Sequence, residues 1–367
     1  MAKIIHIVPH LHTIKGGMEN FGKSIYFGTR DRFESEIIGW ESRWRAEGVP
    51  RLLRGIVLRH MPAKVGAFIY RHILSDGVGN YKTESGDLVH FWSLEPAITF
   101  PDTKCIISCH GMELLPRNVS SYERILYQRA LSNALVVHVC SQYTARLVSN
   151  QFGVSASKIA VIPPPVDFDR LSSFARGCEP EKDAPVIGTL ARFVRRKNLL
   201  NVIRALNVLS ERHHLAFTYY LAGDGLEREA VLSELRQAKF DWKYFGEISD
   251  ELKEQQFYPA LDVFVLPPLE LSDDVEGFGI VYLEANAYGI PVVASRTGGV
   301  SDAVMENFSG VFADPEDPGD IASRILELVE NRKEYRESTK HWAERFDISR
   351  ISVQFCETYR RAMAQIS

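Results

Sequence analysis

The chain has 367 residues, of which 45% are hydrophobic and 25% charged, with a formal net charge of −4. It is too long for one ordinary core and fits two domains of roughly 150–200 residues each, with the composition of a globular protein. The small negative charge gives no overall pull toward nucleic acid, which is not an expected partner, and any binding to anionic lipid needs a local patch.

Along the chain, β-rich runs are predicted over 3–8, 34–40, 87–92, 104–110, 134–139 and 158–163. The rhythm repeats over 185–192, 216–223, 241–246, 262–267, 291–295 and 310–314, with amphipathic segments between most runs. Such alternation predicts parallel sheets covered on both faces. The expected class is α/β, with two Rossmann-like domains facing each other across a cleft. A proline-rich crossover, "IPPPVDFDRL" (162–171), separates residues 1–164 from 165–345, and a late helix is expected over 347–363. Cys105 and Cys109 alternate with Ile107 on one strand face, so they read as core residues rather than metal ligands. The remaining cysteines are scattered. No apolar run approaches the ~18 residues of a membrane span, and "MAKIIHIVPH" enters a strand without a leader pattern. A cytoplasmic location is expected.

In open parallel sheets, ligands sit where strands end and helices begin. Four stretches fall at such positions. "IKGGMEN" (14–20) places Gly16 and Gly17 where backbone can approach an anion, although a plain turn explains a Gly-Gly pair equally well. "SCHGMEL" (108–114) ends a buried strand at His110, a residue able to bond a ligand hydroxyl or to be a strand-end histidine and nothing more. "LARFVRRKN" (190–198) carries Arg192 and Lys197, whose two charges suit a diphosphate. Arg195 and Arg196 read as a solvated basic turn. Finally, "DVEGFGIVYLEA" (274–285) predicts a helix starting near Gly279, with Ile280, Leu283 and Ala287 on its core stripe and Glu284 on that same stripe. A buried carboxylate needs strong donors, and the diol of a ribose supplies two. Glu276 precedes the helix, beside the amides of Phe278, Gly279 and Ile280, which can hold sugar hydroxyls or phosphate. The alternative is a capping acid followed by an ion-paired helix glutamate.

The last stretch resembles the E-x7-E motif of the retaining family 4 glycosyltransferases, which have the two-domain GT-B fold. The resemblance extends to the Gly16-Gly17-Met18-Glu19 turn, His110-Gly111, "VIPPPVD", Arg192 and Lys197, "LAGDG" (221–225), "EANAYGIPVVAS" (284–295) and "TGGVSD" (297–302). It implies that Arg192 and Lys197 hold the donor diphosphate, that Glu284 holds the ribose, and that Glu276 and His110 contact the transferred sugar. Gly17 would lie over the phosphates, and residues 346–367 would cross back onto the first domain. It also implies a hexosyltransferase acting on a nucleoside-diphosphate sugar. Mannose from GDP-mannose is favoured, with glucose and N-acetylglucosamine as the other candidates. The acceptor would be a saccharide or lipid-linked molecule of cell-surface polysaccharide or glycolipid synthesis. No cofactor beyond the donor and no metal is expected. The motif differs at Pro164-Pro165, where an Asn-Gly pair is usual, and at Asp302, which shortens the usual glutamate. "DFD" (167–169) matches a metal-binding pattern but sits in the crossover rather than at a strand end. A nucleotide-sugar 2-epimerase and a non-catalytic nucleotide-sugar-binding protein are the competing readings.

Residues 48–75 carry Arg51, Arg54, Arg59, Lys64 and Arg71 and no acid. A basic amphipathic segment of this kind suits an anionic membrane surface, here the inner face of the plasma membrane, or an acidic acceptor.

Overall fold

A computed structural model describes residues 3–9, 11, 17–42, 75–76, 86–98, 100, 103–119, 121–175 and 184–366. The chain divides into two compact units, Met1–Pro165 with Ile348–Ser367, and Val166–Asp347.

The first unit holds β1 (Ile4–Pro9), β2 (Ser35–Ser42), β3 (Ser75–Asp76), β4 (Leu88–Phe91), β5 (Cys105–Cys109), β6 (Val136–Val139) and β7 (Ile159–Val161) in the order β3-β2-β1-β4-β5-β6-β7. The described pairings are parallel except β2 with β3, an antiparallel edge that the expectation of a purely parallel sheet did not include. Two residues are too few to show a period-2 pattern, so β3 carries no local signal.

Successive strand residues point to opposite faces of a sheet. One face of this sheet is apolar: Ile5, Ile7, Val89, Phe91, Cys105, Ile107, Cys109, Val137 and Val139 share a single core cluster. Both cysteines are therefore core residues, and burial pushes the Cys105 thiol up to about 12. The other face carries His6, His90, Ser108 and His138, all fully buried. The hydrogen bonds of His90, Ser108 and His138 form a chain whose direction its last member sets, while His6 Nδ1 accepts separately from Trp92 Nε1 at 3.2 Å. His138 Nε2 meets the carbonyl of Ile162, which can only accept, at 2.8 Å. His138 Nδ1 must then accept from Ser108 Oγ at 2.7 Å, and Ser108 accepts from His90 Nε2 at 2.8 Å. That leaves His90 Nδ1 to accept from the Tyr359 hydroxyl at 3.0 Å. Tyr359 belongs to the helix Ile348–Met363, which lays Phe355 and Tyr359 on this face, their rings 4.8 Å from His138 and 5.7 Å from His90 respectively. Burying each such side chain contributes about 1.5–3 kcal/mol.

The second unit holds β8 (Val186–Leu190), β9 (Thr218–Ala222), β10 (Asp241–Tyr244), β11 (Val263–Val265), β12 (Val292–Ala294) and β13 (Gly310–Phe312). Their order is β10-β9-β8-β11-β12-β13, and all pairings are parallel. Relabelled from one, this is the 3-2-1-4-5-6 order of a Rossmann sheet. The chain order reverses at β8 and β11, so the segments leaving those two strands flank the switch point.

Candidate functional site

The segment leaving β8 is the Arg192–Asn198 turn. It is fastened from both sides: the Phe193 amide donates to the Asp224 carbonyl at 2.8 Å, and the Phe193 carbonyl accepts from Glu227 at 2.9 Å. The "LAGDG" stretch thus serves as the clamp for this turn. Asn198 closes it in the left-handed conformation (φ 59°), which asparagine tolerates, and its Nδ2 donates to the carbonyls of Pro267 and Pro315 at 3.0 and 2.6 Å.

The segment leaving β11 brings in Asp274 and Glu276. Lys197 Nζ donates to Glu276 Oε2 at 2.5 Å, and Arg196 Nη1 donates to the same oxygen. Arg196 Nε donates to Asp274 Oδ1 at 2.8 Å. Arg196 and Lys197 are only 5% and 9% exposed. The reading of Arg196 as a solvated basic turn is therefore wrong, because two carboxylates on a neighbouring segment draw it inward. Arg195 is exposed, and so is Arg192. Burial would raise the Glu276 pKa, but Lys197 and Arg196 outweigh it and hold the carboxyl below its ordinary value. Burial, aided by Arg196 and Arg192, lowers the Lys197 pKa despite Glu276.

Glu276 does not cap the helix that follows. Gly279 is the N-cap (φ 92°), without a side-chain hydrogen bond, and a Cβ there would come within 2.4 Å of the Tyr282 ring. The backbone of Glu276 is held instead by "TGGVSD": the Gly299 amide donates to its carbonyl at 2.8 Å. A Cβ on Gly298 (φ 53°) would lie 2.3 Å from that carbonyl oxygen, so the loop can approach only as glycine. The amides of Phe278, Gly279 and Ile280 take no backbone partner among the described residues. They stand at the N-terminus of the helix Ile280–Ala287, where negative charge is favoured.

That helix lacks the one-sided stripe expected of it. Tyr282, Leu283, Ala285, Asn286 and Ala287 are all buried, while Ile280, Val281 and Glu284 are half-buried. A helix enclosed nearly all round loses the amphipathic pattern, and Glu284 sits on its less buried edge rather than in the core. Its carboxylate accepts from Lys253 Nζ at 3.0 Å and from the Tyr258 hydroxyl at 2.8 Å. The donors stand at the two ends of a π-helical turn, Lys253–Phe257: Lys253 opens it and Tyr258 follows it, and the Tyr258 amide bonds to the carbonyl of Lys253, which brings positions five apart into line. Burial would lower the Lys253 pKa, but Glu284 and Asp250 raise it above its ordinary value.

In the first unit, His110 follows β5. Its Nε2 donates to the Trp92 carbonyl at 2.9 Å and its amide to Glu113 Oε1 at 2.5 Å, which leaves Nδ1 without a partner among the described residues. The Phe21 ring, on the helix Gly17–Thr29, lies 6.4 Å from the imidazole. Gly17 opens that helix and is exposed; Gly16 lies outside the described residues, as do residues 48–74 of the basic segment. Asp167 of "DFD" caps the helix Phe168–Ser173 and pairs with Arg170 Nε at 3.1 Å. Among the described residues no helix is long and apolar enough to cross a membrane.

The structure thus joins Lys197 to Glu276 and adds Arg196 and Asp274 to them. It gives Glu284 separate partners and leaves Arg192 exposed. Sequence reasoning missed Arg196, Asp274, Asn198, Lys253 and Tyr258. The D-x-E and R-K pairs carried a signal in their opposite charges, whereas Lys253 and Tyr258 carried none.

Residues 175–345 match the family model described as glycosyl transferases group 1, and residues 80–170 match glycosyltransferase family 4. A GDP-mannose-dependent alpha-(1-6)-phosphatidylinositol monomannoside mannosyltransferase of Mycolicibacterium smegmatis is 32% identical over 253 residues, 65% of this chain and 65% of that protein. A D-inositol 3-phosphate glycosyltransferase of Corynebacterium urealyticum is 29% identical over 258 residues, 65% of this chain and 59% of that protein. Both matches span less than two thirds of the relative's length. Among solved structures, sucrose-phosphate synthase from Thermosynechococcus elongatus is similar with a TM-score of 0.74 at 18% identity, over 100% of both chains. A glycosyltransferase from Rickettsia africae ESF-5 gives 0.72 at 18% identity, over 99% of this chain and 98% of that one. At such identity the likeness speaks for the fold, which is GT-B. With its two sheets, its E-x7-E segment and both family models, the chain belongs to the family 4 glycosyltransferases.

Proposed function

We propose that the protein is a retaining hexosyltransferase that moves mannose from GDP-mannose to a saccharide or lipid-linked acceptor of the cell envelope. The observation that carries this is the Lys197–Glu276 cluster, set before a helix N-terminus whose amides are open. A diphosphate there meets Lys197, exposed Arg192 and the amides of Phe278, Gly279 and Ile280. Glu276 accepts from hydroxyls of the transferred sugar, and Glu284 exchanges Lys253 and Tyr258 for the ribose diol. The choice of mannose rests on the relative from Mycolicibacterium smegmatis, named for GDP-mannose; glucose and N-acetylglucosamine are the other candidate sugars.

In the reaction the bond between the anomeric carbon and the diphosphate breaks, and its electrons stay on the phosphate oxygen. Lys197, Arg192 and the helix amides stabilise that growing charge. The acceptor hydroxyl attacks from the same face and passes its proton to the departing phosphate. Two cations supply the positive charge that a metal ion would otherwise bring.

A panel of nucleotide sugars, with and without mannosylated phosphoinositide or oligosaccharide acceptors, tests the reading. Acceptor-dependent release of the nucleoside diphosphate is expected. A 2-epimer of the donor sugar, or binding without turnover, would replace it with one of the alternatives. For residues 48–75 we propose docking on anionic membranes, on the strength of their sequence alone. Salt-sensitive co-sedimentation with anionic liposomes, lost when Arg51, Arg54 and Arg59 become Ser, is the expected result; equal recovery with neutral and anionic liposomes at low salt overturns it.

A further inference from the structure

We propose that Arg196 is a positioning residue that keeps Glu276 charged and aimed at the sugar while Lys197 turns to the diphosphate. This rests on the reading of the site as one for a nucleotide sugar.

Two carboxylates, Asp274 and Glu276, face two cations, Arg196 and Lys197, in a buried cluster that balances to zero charge. Both cations meet the same oxygen of Glu276, and Oε1 makes no hydrogen bond among the described residues. The carboxylate is therefore anchored at one oxygen and open at the other, which suits an acceptor of sugar hydroxyls. Lys197 has a single ammonium on a flexible stem. When a diphosphate arrives beside it, its charge is shared with the phosphate. A buried carboxylate whose sole cation had turned away would take up a proton. Arg196 prevents this. Its guanidinium is planar, stays charged and is gripped at a second point by Asp274, so it cannot follow the phosphate. The Arg196 carbonyl also accepts from the Leu269 amide at 2.8 Å, which ties the turn to the strand-end segment leading to Glu276.

The test compares wild type, Arg196→Gln, Arg196→Lys and Asp274→Asn, using GDP affinity by calorimetry and the pH profile of kcat. Arg196→Gln is expected to bind GDP as wild type does, since Lys197 and Arg192 remain. Its kcat should fall by as much as ~10²-fold through misplacement of Glu276. The acid limb of its profile should move up by about 1–3 pH units as the carboxylate loses a cation. Arg196→Lys should recover much of the limb shift and only part of kcat, because it restores charge without the fork. Asp274→Asn should lower kcat modestly. A folded Arg196→Gln enzyme with wild-type kcat and profile overturns the proposal, and so does a parallel loss of GDP affinity, which would make Arg196 a phosphate ligand. If the glutamine variant does not fold, the other two carry the same comparison: a lowered kcat in both with unchanged GDP binding, together with a limb in Arg196→Lys close to that of wild type, supports the role, and a wild-type kcat in both overturns it. Wild-type protein that neither binds nor turns over any nucleotide sugar instead overturns the reading of the site.

Discussion

Both units enclose polar side chains, the first on a sheet face and the second beyond the strand ends, and they do so in opposite ways. In the first, His90, Ser108, His138 and Tyr359 form a chain in which each proton has one place to go, ending at a backbone carbonyl. No ion takes part. Burial lowers the pKa of His138 to about 3 and that of His90 well below its ordinary value, so the chain is neutral. In the second, the groups are ions, buried around Glu276 and half-buried at Glu284, and each glutamate carries a lysine that the proposed reading has a ligand replace: Lys197 on Glu276 and Lys253 on Glu284. A neutral chain with every donor matched suits a scaffold, here tying the helix Ile348–Met363 to the sheet. Ion pairs with one replaceable member suit a site that must accept an anion and a sugar in turn.

The largest expected effect lies on the ionic side. Lys197→Ala should reduce turnover by roughly 10²–10³, the range for losing a donor to a developing oxyanion. A neutral-chain variant such as Ser108→Ala should leave the turnover of folded protein near wild type. An equal loss in both, measured as kcat at saturating donor, would abolish the distinction.

The neutral side should show itself in stability. Above pH 6.5, His6, His90 and His138 are uncharged in folded and unfolded chain alike, and their contribution is fully present. Below it the unfolded chain binds protons that the folded one refuses, down to about 3 for His6 and His138, so stability falls as pH falls across that window. The loss is up to ~1.4 kcal/mol per pH unit for each histidine. Urea unfolding at pH 7.5 and 5.5 measures it, and His6→Gln should lessen the slope by one histidine's share. A slope unchanged in that variant would assign the acid sensitivity elsewhere.

Glu284→Ala should weaken GDP binding by about tenfold to a hundredfold, the worth of hydrogen bonds to a charged acceptor. Glu276→Ala should lower kcat more than GDP affinity, because GDP lacks the sugar. Calorimetry beside kinetics separates the two, and matching losses would merge the ribose and sugar roles. The smallest effect belongs to Asp167→Ala: about 1 kcal/mol for a lost helix cap, with turnover intact. Turnover abolished by EDTA and restored by a divalent metal would give "DFD" a metal after all.

Each of the twelve predicted β runs holds a strand, since alternation and turn residues act within a few positions of the chain. The E-x7-E spacing and the glycines around it were legible for the same reason. Arg195 and Arg196 were not separable, being identical neighbours in one turn. What buries the second and leaves the first in water is the arrival of Asp274 and Glu276 from a strand beyond β8. The partners of Glu284 lie 26 and 31 positions upstream, aligned by a π-helical turn that no periodicity announces. The histidines of β1, β4 and β6 were visible one by one, each at a strand interior. Only the sheet order sets them side by side, and only the helix Ile348–Met363 supplies the tyrosine that completes the chain through His90 and His138. Local pattern determined the elements and the motif. Charge partners were decided by the fold, because electrostatic and hydrogen-bond contacts depend on distances that exist only once remote strands lie beside each other.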